Sequence, residues 1–144
     1  NMYIYILTPI VAFALAQGTK VFLRSFHHKL TLHDFFAYSD MPSGHTAVVV
    51  SLVTILGFKL GVSSPLFAVA FVSAAIVITD AIGLRNYLGL HGKTLNVLVK
   101  DLKEDEFLDR SYPKQLEHIG HTPLQVIVGA SVGFITSLIS YLIF

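Results

Sequence analysis

Two cations, a serine and two histidines recur at the ends of greasy segments, and together they suit the binding and cleavage of a phosphate ester. The 144 residues hold four such segments. Lys20 lies near the end of the first, Pro42-Ser43-Gly44-His45 opens the second, Arg85 follows the third and His121 opens the fourth. Cations can hold the non-bridging oxygens of a phosphate. An imidazole can attack phosphorus, or pass a proton to a leaving group. In an antiparallel bundle of four spans all of these groups reach one membrane face.

Each residue also has a plain structural use. Ser43 is a good N-cap, and Gly44 lets the backbone approach a ligand closely. The free amides and partial positive charge of a helix start make an anion site, with His45 in its first turn. Lys20 and Arg85 could simply snorkel to the headgroups. Asp80 is harder to explain that way, because a carboxylate about one turn inside a span is costly unless paired. Arg85 is its natural partner, and the pair could orient the guanidinium toward a phosphate. Thr122-Pro123-Leu124-Gln125 scans as a capping box with proline at the first helical position. That accounts for Thr122 and Gln125 but not for His121, whose place at a cationic helix start favours the neutral, nucleophilic imidazole.

The elements that must position these groups are hydrophobic. Apolar residues make up 53% of the chain and charged ones 13%, unlike an ordinary soluble surface. Length suits a single domain, residues 1–144. About 20 apolar residues cross a bilayer; segments 2–23 and 122–144 meet that length, 65–82 is intermediate and 46–58 is short. Ser64 and Pro65 suit a helix start after a tight turn, so the middle pair reads as a helical hairpin. A cleavable signal peptide is not expected, since residues 2–16 lack a basic start. Residues 25–40 mix aromatics with His27, His28 and His33 and read as interfacial. In 93–106, Leu95, Leu98, Val99 and Leu102 follow an amphipathic helical period, suited to lying on the membrane or capping the site. Gly129 and Gly133 form a GxxxG that serves either packing within the bundle or a homodimer. Nine of ten Lys and Arg residues fall in connections 17–45 and 83–121, which places the motif-bearing face in the cytoplasm with both termini outside. A net charge of +1 gives no nucleic-acid signal, and the absence of cysteine excludes disulfides and thiolate sites.

The ordered set resembles a family. Pro42-Ser43-Gly44-His45 is the central motif of the type 2 phosphatidic acid phosphatases and vanadium haloperoxidases. The stretch from His121 through Gln125 and Val126 to Gly129 is similar to the end of their third motif. More closely, the chain looks like the small divergent branch of that superfamily, which shares Met-Pro-Ser-Ser/Gly-His, Asp-Ala-x-Gly-x-Arg (here Asp80 to Arg85) and Gly-His-Thr-Pro (here Gly120 to Pro123). The resemblance implies that Lys20, Arg85, Ser43 and the Gly44 amide hold the phosphoryl oxygens. It implies His45 as general acid and His121 as nucleophile. Departures stand beside it. His27-His28 occupies the place of an Arg-Pro in the first motif. The family's spacing from Arg85 reaches His91, which lacks an acid four positions later and opens no span. Gln125 stands where the family has an acid; it can orient an imidazole but cannot stabilise imidazolium as a carboxylate does, so catalysis could be weak, or Glu117 or Asp80 could substitute.

The expectation is an all-α polytopic membrane protein, a four-span bundle with amphipathic helices between spans three and four. Its expected function is metal-independent hydrolysis of a lipid phosphate, phosphatidate-like or polyprenyl, through a phosphohistidine. No cofactor is expected, and the expected partners are the lipid phosphate and membrane lipids. The alternative is a non-catalytic lipid-phosphate binder that keeps the phosphate cradle.

Overall fold

Five helices follow one another in the structure, a computed structural model that describes residues 2–26, 41–104 and 114–144. They are α1 (Ile4–Ser25), α2 (Gly44–Leu60), α3 (Pro65–Ile82), α4 (Leu84–Glu104) and α5 (Pro123–Ile143). No strand occurs among the described residues. Helices suit chains this apolar because they satisfy every backbone group internally. The helix starts are the ones the caps predict: Ser43 caps α2, Ser64 caps α3 ahead of Pro65, and Thr122 caps α5 in a full capping box with Gln125. Gly61 ends α2 at φ +82°, a conformation that favours glycine. Among the described residues three stretches are long and apolar enough to cross a membrane: Ile4–Leu23, one within Pro65–Asp101, and Pro123–Ile143. Helix α2 is apolar too but has only 17 residues.

Helix α2 is the centre of the bundle, touching α1, α3 and α5, while α1 and α3 do not meet among the described residues. Small residues permit this closeness. Ala12, Ala16 and Ala47 form a fully buried cluster with Val132 packed on it. On α5, Gly129 lies against the Ser43 carbonyl and Gly133 against the Ala47 carbonyl, with no room for a Cβ at either. One turn further, the Ser137 hydroxyl donates to the Ser51 carbonyl at 2.8 Å. The stripe 129, 133, 137 therefore lies on the stripe 43, 47, 51, so α5 runs parallel to α2. Of the two uses open to the GxxxG, packing within the bundle is the one observed. Phe13 and Gln17 of α1 lie at Gly44, the start of α2, and Phe67, in the first turn of α3, lies against Gly57 near the end of α2, so α3 folds back along α2 as a hairpin. Large apolar side chains face outward instead: Ile10, Phe22, Phe71, Ile76, Ile127 and Leu142 are all exposed. Alanines inside and leucines outside suit a lipid surround and are the reverse of a soluble bundle.

Helix α4 departs from the sequence reading. The amphipathic helix begins at Leu84, not near residue 93, and only Gly83 separates it from α3. Gly89 and Gly92 lower helix propensity and hide its first turns, yet Leu84, Leu88, Leu95 and Leu98 share one exposed face. Among the helices α4 touches α3 alone. The interfacial reading of 25–40 falls mostly outside the described residues, as does much of the charged stretch 103–110.

Candidate functional site at one end of the bundle

Lys20 is buried, not snorkelling, at 3% exposure. The cause is its register: Ala12, Ala16 and Lys20 are spaced i, i+4, i+8, so Lys20 continues the stripe that packs into the core. Gln17, one turn earlier, lies beside Gly44. The end of α1 thus meets the start of α2.

At that start Ser43 is fully buried, and its hydroxyl accepts from the Thr46 amide and the Thr46 hydroxyl, the latter at 3.0 Å. The Ser43 amide donates to the Gln125 carbonyl at 3.1 Å, which ties the two parallel helix starts together. Among the described residues the Gly44 and His45 amides find no acceptor. They are the donors a helix start offers to an anion. His45 is exposed, and Arg85, Lys20 and Asp80 all lie close enough to act on its charge. The Arg85 Nε donates to the Asp80 carboxylate at 2.7 Å, both side chains about one-third exposed or less. The pairing expected from the cost of a lone carboxylate is present, and it spans the α3–α4 corner.

His121 is buried at 1% exposure. Its amide donates to the Ala81 carbonyl at 3.0 Å, and its carbonyl accepts from Asn86 Nδ2 at 3.3 Å. Both main-chain groups of His121 are thus held by the corner that carries Asp80 and Arg85. His91 lies exposed on α4, which touches none of α1, α2 or α5. Gln125 Oε1 accepts from the Thr122 amide at 2.8 Å, so its oxygen is used by the capping box. Glu117 is turned toward α4, where its carboxylate accepts from Asn96 Nδ2 at 2.8 Å.

These contacts bring the end of α1, the starts of α2 and α5 and the α3–α4 corner to one end of the bundle. The sequence model of the divergent PAP2 family matches residues 3–136. The chain belongs to the divergent PAP2 family. Its similarity extends to YuiD, an uncharacterized membrane protein of Bacillus subtilis (strain 168), which is 30% identical over 144 residues covering 93% of this chain and 91% of YuiD. No solved structure matches the chain. As a divergent PAP2 member with several apolar spans, it is an integral membrane protein related to phosphatases.

Sequence reasoning missed how this PAP2 relative positions the segment before His121. Asn86, Gly89, Gly92 and Asn96 are spaced three, three and four apart, which is one stripe of α4. Asn96 brackets Gln115, donating to its carbonyl at 2.9 Å and accepting from its amide at 2.8 Å. Gly92 and Gly89 lie against the carbonyls of Leu116 and Glu117, and Asn86 lies against Gly120. The signal was present as a run of small and amide residues beside a leucine face, but its partner is distant in sequence.

Proposed function

We propose that this divergent PAP2 protein hydrolyses a lipid phosphate monoester or diphosphate at the membrane surface through a phosphohistidine. What supports the reading is that buried Lys20, buried His121, the Ser43–Gly44 helix start with His45 and the Arg85–Asp80 pair all stand at one end of the bundle. In this scheme Lys20, Arg85 and the helix-start amides bind the non-bridging oxygens, where charge must be held through the transition state. The His121 imidazole forms a bond to phosphorus as the bond to the lipid oxygen breaks, and His45 protonates the departing oxygen. Water then attacks the phosphohistidine, giving up a proton to His45, and inorganic phosphate and free His121 result. Side-chain cations serve where other phosphatases use metals. The charge asymmetry puts the motif-bearing face in the cytoplasm.

A second reading, a non-catalytic lipid-phosphate binder, is favoured by one observation. The place of the family's acid is held by Gln125, whose oxygen is committed to Thr122. Without a carboxylate the imidazolium gains less stabilisation. Phosphate release by purified protein from a panel of lipid phosphates, beside His121→Ala, decides between the two. Release lost in the variant supports turnover. Equal binding with no release in either supports the binder.

A further inference from the structure

An open groove of about 590 Å³ runs along the outer face of α3 and ends at Asp80, whose carboxylate binds Arg85 outside the groove lining. Phe71, Val72, Ala75 and Ile76 line its length, Thr79 and Asp80 stand at one end, and Leu84 and Tyr87 of α4 close that end. The Thr79 hydroxyl is spent on the Ala75 carbonyl at 2.8 Å, so it offers the groove no proton. From Phe71 to Gly83 the helix rises about 18 Å. The groove is therefore a long apolar strip with one charged rim. The carboxylate at that rim is bound by the arginine that acts on His45.

An apolar groove at the depth of a membrane span can be filled by a hydrocarbon chain or by another helix. Its charged rim selects between them. Asp80 and Arg85 offer nothing to an apolar helix face, whereas a lipid whose phosphate is held by Arg85 has its chain beginning at that rim. We infer that the groove seats the hydrocarbon chain of the lipid whose phosphate is bound at the bundle end, an assignment that rests on the phosphate-ester reading above. The substrate class is then a phosphate on a long chain laid along α3, and a short-chain phosphate engages the head site alone.

Ala75 is an exposed groove residue, so a large side chain there obstructs the groove without entering the core. Val69, 65% exposed on the same helix, does not line the groove and serves as the control. In mixed micelles, Ala75→Trp is expected to lower kcat/KM for hexadecyl phosphate by about tenfold while ethyl phosphate stays within about twofold. Val69→Trp is expected to change neither. Equal effects of Ala75→Trp on both substrates, or none on either, would overturn the groove while leaving turnover standing. The second arm needs no turnover: hexadecyl phosphate bearing a diazirine at mid-chain is photolysed on the wild-type protein and the adducts are mapped. Adducts on Val72 and Ile76 that vanish in Ala75→Trp support the groove even if no phosphate is released, in which case the hydrolytic reading alone falls. Adducts spread evenly over the exposed faces of α1 and α5 overturn it. So does a dimer, seen by light scattering, that Ala75→Trp dissociates while lipid labelling is unchanged.

Discussion

Asn86 carries no charge and lies outside every motif, yet its Nδ2 donates to the carbonyls of both Ile82 and His121, at 2.6 and 3.3 Å. It holds the main chain of His121. Asn86→Ala should reduce kcat for phosphate release by about tenfold, because a small misplacement of a reacting group is costly. KM should stay within about twofold, since Lys20, Ser43 and Arg85 are untouched; a parallel rise in KM would argue that the substitution disturbs the whole site. His121→Ala should remove turnover by at least about a thousandfold while phosphate analogues still bind, which equilibrium binding of inorganic vanadate can measure. Arg85→Ala should weaken both. Ser43, Thr122 and the Asp80–Arg85 pair were legible in the sequence because caps and i, i+5 partners are local. The contact of Asn86 with His121 spans 35 residues, and no local pattern announces it.

At the scale of elements, the α2–α5 seam aligns the site by putting two helix starts level. Its register comes from glycine and serine, so it tolerates little added volume. Gly129→Ala places a methyl against the Ser43 carbonyl, and Gly133→Ala places one against the Ala47 carbonyl. Each should lower stability by about 1–3 kcal/mol, read as thermal unfolding in detergent. Gly129→Ala should also depress phosphate release more than Gly133→Ala, because it displaces the Ser43 cap itself; equal activity losses would show that the seam acts through stability alone. Helix type and most starts among the described residues were readable from hydrophobic runs and caps. The early start of α4 was not, because two glycines that weaken a helix in isolation are needed there for the close approach of residues 116–117. Tertiary contact outweighs propensity at those turns.

For the whole molecule, the cytoplasmic orientation proposed from the charge distribution can be tested on a chain that lacks cysteine. A single cysteine at Ser63 should react with a membrane-impermeant maleimide from outside intact cells. One at His118 should react only after permeabilisation, and the opposite pattern would invert the topology. The short central helix adds a matter of depth. Its 17 residues rise about 26 Å, some 4 Å less than a hydrocarbon core of about 30 Å. Lys59, in the last turn of α2, lies over the Tyr141 ring at 5.0 Å, and such a pair belongs at the headgroup level. With Lys59 at the headgroups, the shortfall would fall at the Ser43 end, leaving it below the bilayer surface. On the proposed reading, a lipid phosphate would have to sink to reach that end, or the leaflet thin above it. If the protein hydrolyses a lipid phosphate as proposed, phosphate release should rise as the host lipid is shortened, measured across vesicles of graded acyl length at constant headgroup.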